Sequence, residues 1–485
     1  MRTLRAAAVD LGAGSCRLSL GEWDGSGAHL QLVHRFANGP VSRGGHLYWD
    51  LERLENGIDA GLRACAQSLG GNGAGAIDAL GVTGWAVDYV RLGPGQRPLA
   101  DPFCYRDPRT ETAIDEVSAL IPRERLYGLT GIQFIRINTL YQLWADRRDG
   151  VPAGVRWLNI PESQLHRLTG RAPETAVAEY TNATHTQLLA VATGEWCDEI
   201  FERTGLDRRA APRIVAPGTP LGRLRGELAA LAPLAGTEVI APACHDTAAA
   251  VAGIPETGGD WAFISSGTWS LVGTVLDRPC TTPAALAANL TNEGGVGGTI
   301  RFLKNITGLW LLEECLRAWE AAGRQWTTAD LIAACQSRPA SQAVFNVDRA
   351  ELMLPGDMPA KINRALLAAG RAPLADGPDA APDVAAAIFA SLAVRYGEVV
   401  RALALACGRR FRRIYMLGGG SQNAVLNRLV ERATGLEVVR GPVESATIGN
   451  LAVQFATLEN GRADAATVAA WAERLACAAP VQSLV

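Results

Sequence analysis

Residues Val9–Leu20 read V-D-L-G-A-G-S-C-R-L-S-L, and residues Phe263–Gly273 read F-I-S-S-G-T-W-S-L-V-G. Each is an apolar strand, a short turn of Gly, Ser or Thr, and a second apolar strand. This pattern predicts a hairpin whose turn presents several backbone N–H groups to one point, which suits phosphate oxygens. The chain thus restarts its opening pattern halfway along, with Leu11–Arg17 set against Ser265–Trp269 as a weak internal repeat. Two similar halves facing each other leave a cleft between them. Between the hairpins, Ala241–Thr247 reads A-P-A-C-H-D-T, just before an Ala/Val-rich helical run. It places the carboxylate of Asp246 between His245 and Thr247, where an apolar segment ends. Two phosphate-type turns with a carboxylate between them point to transfer of a phosphoryl group onto a hydroxyl.

On either side of the first hairpin the pattern is α/β. Ala6–Leu11, Cys16–Trp23 and Leu30–Phe36 read as strands. Asp50 then caps a helix with apolar residues at Leu51, Leu54, Ile58, Leu62 and Cys65. Ala76–Val82 is a further strand, and the loop G-W-A-V-D-Y (Gly84–Tyr89) leaves its C-terminal end, where open α/β sheets build ligand crevices. The middle, Leu126–Leu189, reads as mostly helical with loops. A boundary falls near Ala252–Gly259. In the second half an Ala/Pro/Asp-rich surface loop, Ala368–Pro382, precedes a long helix over Val384–Cys407. The strand Arg413–Leu417 runs into G-G-G-S-Q-N (Gly418–Asn423), and Gly441–Asn450 opens another helix. A chain of 485 residues exceeds one ordinary core, so two domains are expected, 1–252 and 253–485.

Composition narrows the partners. The chain is 48% hydrophobic and 20% charged with net charge −3, which gives no electrostatic argument for nucleic acid or for an anionic membrane surface. The longest apolar-and-small run, Val384–Val394, is far shorter than the roughly 20 residues a membrane helix needs. The ten cysteines form no C-x-x-C and no zinc-type spacing, so they read as thiols of a cytosolic protein. Nothing in the sequence fixes oligomeric state; monomer and dimer both suit it.

The chemistry-bearing segments also have plain structural readings. D-L-G-A-G-S can be an ordinary turn after a buried strand, H-D-T a helix cap, G-G-G-S-Q-N a loop, and Trp49, Trp85, Trp269 and Trp310 core aromatics. A P-loop is excluded, because neither Lys304 nor Lys361 follows a glycine and the chain has no other lysine. The protein-kinase signatures are absent. Asp10, a carboxylate at a strand end beside a glycine turn, is poor packing and good magnesium chemistry.

Taken in order, D-L-G-A-G-S, H-D-T, S-S-G-T-W-S and G-G-G-S-Q-N resemble the FGGY carbohydrate kinases over nearly the whole chain. Y-R-D-P-R-T (Tyr105–Thr110), G-I-Q-F (Gly131–Phe134), N-T-L-Y-Q-L (Asn138–Leu143), Y-T-N-A-T-H-T-Q-L (Tyr180–Leu188), A-L-A-A-N-L-T-N-E-G-G (Ala285–Gly295) and L-K-N-I-T-G-L-W-L-L (Leu303–Leu312) resemble the rhamnulokinase branch. The resemblance implies an α/β, two-domain actin/hexokinase/Hsp70-like fold with ATP and Mg²⁺ as cofactors and a ketose as substrate. It implies that Ala13, Gly14, Ser15, Cys16 and Arg17 hold ATP phosphates beside Asp10 for the metal. Thr268 contacts phosphate from the facing hairpin, with Glu313, Gly419 and Asn423 on the nucleotide side. Trp85, Ala86, His245, Asp246, Thr247 and Asn305 take the ketose, Asp246 as base on the C1 hydroxyl of L-rhamnulose. Kinases for L-fuculose, L-xylulose or glycerol are the nearest alternatives. A nucleotide-gated interaction protein of the same fold would lack a base facing a sugar pocket. Two positions depart from the branch: Ala86 stands where glycine is common after Trp85, and Glu313 where glutamine is common.

Overall fold

The computed structural model describes residues 2–69, 75–152, 154–256 and 258–477. Thr257, inside the boundary stretch, lies outside the described residues.

Strands β1 (Leu4–Leu11), β2 (Ser15–Trp23) and β3 (Ala28–Ala37) form an antiparallel meander. Helix α1 (Leu51–Ser68) follows, capped by the Asp50 carboxylate on the Arg53 N–H, and leads to β4 (Ala79–Gly84), parallel to β1. After a long excursion, β5 (Thr219–Arg223) and β6 (Glu238–Ala241) complete a sheet ordered β5-β6-β4-β1-β2-β3, and α2 (Asp246–Ala252) leaves its edge. The second half contains β7 (Trp261–Ser266), β8 (Trp269–Leu276), β9 (Thr291–Gly294), β10 (Ile300–Thr307), α3 (Trp310–Ala321), α4 (Ala381–Cys407), β11 (Arg413–Leu417), α5 (Ala424–Thr434), β12 (Glu437–Arg440), α6 (Ser445–Asn460) and α7 (Ala465–Ala476). Its sheet is ordered β9-β10-β8-β7-β11-β12.

The repeat seen in two turns therefore extends to five strands. β1, β2, β3, β4 and β6 match β7, β8, β10, β11 and β12 in neighbour order and in direction. β1 is apolar on both faces because both are covered. Ala7, Val9 and Leu11 pack with Leu54, Ile58 and Leu62 of α1. Ala6 and Ala8 pack with Leu451 and Phe455 of α6. Removing such an α1 side chain, as in Leu62→Ala, costs about 2–5 kcal/mol.

Packing crosses position 252 in both directions. Asn450 and Gln454 of α6 donate to the Val9, Gly81 and Ala7 carbonyls of the first sheet. Helix α6 also crosses α2 so closely that a Cβ on Gly449 would stand 1.7 Å from the Ala249 carbonyl oxygen. The middle segment holds strands Arg156–Asn159 and Val177–Glu179 as well as helices, because Arg156–Asn159 pairs with Tyr89–Leu92 beyond the Gly84–Tyr89 loop. The Ala368–Pro382 stretch is shorter as a loop than its composition suggests: Pro382 sits in the first turn of α4, where its missing N–H costs nothing.

Candidate active site

A cleft of about 600 Å³ opens between the two hairpin turns and the start of α2. Its wall includes Asp10, Gly12, Ala13, Gly14, Ser15 and Arg17 from the first turn and Ser265, Ser266, Gly267 and Thr268 from the second. Trp85, Ala86, His245, Asp246, Thr247 and Asn305 also line it, as do Glu313, Gly418 and Gly419. Among the described residues the N–H groups of Ala13, Gly14 and Thr268 donate to no protein acceptor, as a phosphate-holding turn requires. Asn38 braces the first turn through its side chain to the Gly12 carbonyl (2.9 Å) and its N–H to the Gly14 carbonyl (3.1 Å). Gly418 has φ +69°, and a Cβ on Gly420 would come within 2.3 Å of the Ser266 side chain, so glycine lets this loop close on β7.

Two expected residues lie off the cleft. Cys16 alternates to the opposite side of β2 from Ser15 and Arg17; it is fully buried against the α1 core, and burial pushes its thiol up. Asn423 caps α5, its side-chain oxygen accepting from the Leu426 N–H at 3.0 Å. Neither lines the cleft.

Asp246 opens α2 but is not spent on capping it. The Thr247 hydroxyl donates to its Oδ1 at 3.1 Å, and His245 Nε2 stands 3.4 Å away. About one third of its side chain remains open to the cleft. Enclosure by the cleft, reinforced by the negative charge of Asp10, pushes its carboxyl up to about 7. Asp10 is itself raised to about 6, mainly by burial, with Arg17 at 3.5 Å opposing the shift and Glu444 adding to it. Glu444 meets the same Arg17 nitrogen at 3.0 Å. Two carboxylates, Asp10 and Glu444, therefore share one guanidinium, and Asp246 lies close enough to Asp10 to feel its charge. This hard oxygen donor set, with an excess of negative charge, fits a divalent cation arriving with a nucleotide.

The backbone before Asp246 is pinned. Thr83 donates to the Ala243 carbonyl at 2.9 Å, the Cys244 N–H donates to Glu179 at 2.8 Å, and the His245 N–H donates to Thr181 at 3.1 Å. Glu179 is raised to about 7 and its neighbour Glu162 to about 8, both chiefly by burial. The Trp85 loop is equally constrained. Asp88, fully buried, accepts from the indole N–H groups of Trp49 (2.5 Å) and Trp85 (3.1 Å) and from the Tyr105 N–H. Val87 sits at φ +70°, rare for a β-branched residue, with its carbonyl held by Thr139 at 2.8 Å. Elsewhere on the cleft wall, Thr268 donates to Glu313 at 3.3 Å, and burial raises the Glu313 carboxyl.

The sequence reading did not assign His185, Tyr105 or Arg35 to the wall, although the first two lie in segments it quoted as diagnostic. Tyr105 accepts from the Trp269 indole at 3.3 Å and so joins the two halves across the cleft.

The N-terminal-domain profile of the FGGY family of carbohydrate kinases matches residues 6–253, and the C-terminal-domain profile matches 262–458. This chain belongs to the FGGY family of carbohydrate kinases. It is 37% identical over 454 residues to a rhamnulokinase of Bacteroides thetaiotaomicron, covering 93% of this chain and 90% of that protein. Its fold is similar to the crystal structure of gluconate kinase from Lactobacillus acidophilus (TM-score 0.76, 16% identity, 97% and 92% covered). It is also similar to Plasmodium falciparum glycerol kinase with ADP (TM-score 0.70, 13% identity, 97% and 93% covered). The FGGY chain is an α/β protein of the two-domain actin/hexokinase-like fold and an ATP-dependent sugar kinase. No described helix is long and apolar enough to cross a membrane.

Proposed function

We propose that this kinase transfers the γ-phosphoryl group of ATP to the C1 hydroxyl of L-rhamnulose, giving L-rhamnulose 1-phosphate and ADP in the cytoplasm. The observation that carries the reading is Asp246, a carboxyl tuned to about 7 that faces the gap between two phosphate-type turns. A general base works best with a pKa near the operating pH and contributes typically about 10²- to 10⁴-fold. Asp246 takes the C1 proton as the hydroxyl oxygen attacks. His245, Thr247 and Asn305 orient the ketose against Trp85 and Ala86. The free N–H groups of Ala13, Gly14 and Thr268 receive the phosphates, and Gly419 lies against the nucleotide. Asp10 is placed to hold Mg²⁺, which when bound neutralises phosphate charge. The relative at 37% identity supports L-rhamnulose over other acceptors.

The test is ADP release with Mg-ATP over a panel of ketoses and polyols. L-rhamnulose is expected to have the highest kcat/KM. A panel led by L-xylulose, L-fuculose or glycerol would overturn the substrate and leave the kinase standing.

A further inference from the structure

Building on that reading of the Asp246 end of the cleft, we propose that Glu293 and Arg301, which do not themselves line it, set the hydrogen-bonding polarity of the sugar pocket. They fix His245 as an Nε2–H donor and Asn305 as an Oδ1 acceptor.

Glu293 on β9 and Arg301 on β10 are directly opposed cross-strand partners, buried to 0% and 1% exposure. The Arg301 guanidinium is locked: Nε donates to the Gly294 carbonyl at 2.8 Å and NH1 lies 3.1 Å from Glu293 Oε2. Its NH2 stands 3.1 Å from His245 Nδ1. Glu293 Oε2 also lies near Nδ1, but at 3.6 Å it is beyond hydrogen-bonding distance, so the partner is Arg301, which only donates, and Nδ1 offers its lone pair. The hydrogen of the neutral ring is then on Nε2, the nitrogen facing Asp246 at 3.4 Å. The pair makes no hydrogen bond, which leaves Nε2–H free for a ligand oxygen. Burial, with the positive charge of Arg301 beside it, holds His245 well below the ordinary histidine range, so the ring stays neutral.

Asn305 is oriented by the same logic. Gln133 donates through Nε2 to the Asn305 carbonyl at 3.1 Å and accepts the Asn305 N–H on Oε1 at 2.8 Å, so the backbone decides which way its amide points. The Asn305 amide nitrogen then donates to Gln133 Oε1 at 3.3 Å and to Glu293 Oε1 at 3.2 Å. Both are acceptors, so Asn305 must turn its nitrogen to them and keep Oδ1 for the cleft. His185, His245 and Glu293 are close enough together to hold a metal ion, but Arg301 already supplies the positive charge there. The cluster is a hydrogen-bonding frame.

The pocket therefore shows a carboxylate flanked by one donor and one acceptor. A hydroxyl on Asp246 with a neighbouring oxygen that accepts from His245 is the pattern of a C1 hydroxyl beside the C2 oxygen of a ketose. Glu293 and Arg301 are positioning residues for that pattern.

Histidine ¹⁵N NMR tests the assignment without relying on turnover. In the full chain, the His245 signals, identified by their loss in His245→Asn, should show an unprotonated Nδ1 and a protonated Nε2. Arg301→Met should put the ring into exchange between tautomers and lower sugar kcat about 10²-fold with ATP binding unchanged, and Arg301→Lys should recover at least about tenfold. Because Arg301→Met strands the Glu293 charge, Arg301→Met/Glu293→Gln is the control that keeps the core neutral; its kcat should stay low. A protonated Nδ1 in the unsubstituted protein, or a double variant within about twofold of it, overturns the proposal. The NMR result stands whichever ketose is phosphorylated, so it separates this inference from the substrate assignment.

Discussion

The two sheets share five strands in the same order, yet they do different work at the cleft. Asp10 is the penultimate residue of strand β1, and the helix after β6 is capped by His245 and begins with Asp246. At the matching places, β7 ends in Ser265 and Ser266, and the helix after β12 begins with Ser445. The first half supplies the carboxylates of Asp10 and Asp246 to the cleft wall. The second supplies mainly small side chains and open backbone there, at Ser265, Ser266, Gly267, Gly418 and Gly419. A repeated frame has thus been divided by charge, and Asp246 owes its tuning first to burial and then to the nearby charge of Asp10.

The division is broken most severely at Asp246. Asp246→Asn keeps the shape and removes the basicity, and sugar turnover should fall about 10³-fold while ATP binding and fold persist. Steady-state ADP release and nucleotide titration measure both. Next comes the contact that joins the halves. Gly449→Ala drives a methyl into the Ala249 carbonyl and should destabilise the protein by about 3 kcal/mol in denaturant unfolding. Gly419→Ala meets nothing within 4 Å and should stay within about 0.5 kcal/mol.

Smaller effects sharpen the electrostatic side. Glu162 has a usual value of 4.5 and is raised to about 8 by burial. The native state therefore holds an extra proton between those values. Its stabilising contribution is complete below pH 4.5 and is lost as pH rises through 8. Glu162→Gln should narrow the difference in melting temperature between pH 5 and pH 8. Glu313→Gln removes a carboxylate hydrogen-bonded to Thr268 and should lower the KM for ATP about threefold without changing the order of sugar preference.

The first meander, both hairpin turns, the strand Arg413–Leu417 and the helix opened by Asp50 were legible because each rests on local pattern: short apolar runs, turn glycines and a cap. Asp246 was legible as a carboxylate at the end of an apolar segment. What escaped was set by distant partners. Cys16 sits among cleft residues in sequence, but strand alternation turns it into the α1 core. Asn423 follows a glycine run, but its side chain is taken by the helix it caps. Arg301 and Glu293 act only because β9 and β10 pair, and nothing in their own segments reports that pairing. The strained Val87 depends on Thr139, more than fifty residues away.

The pH dependence of kcat/KM for L-rhamnulose at saturating Mg-ATP tests the central claim most directly. Asp246 as base, with its carboxyl at about 7, predicts a plateau above that value and a tenfold loss per pH unit below it, a limb missing from the residual activity of Asp246→Asn. A profile that stays flat from pH 5.5 to pH 8, or a limb that survives in Asp246→Asn, would contradict it.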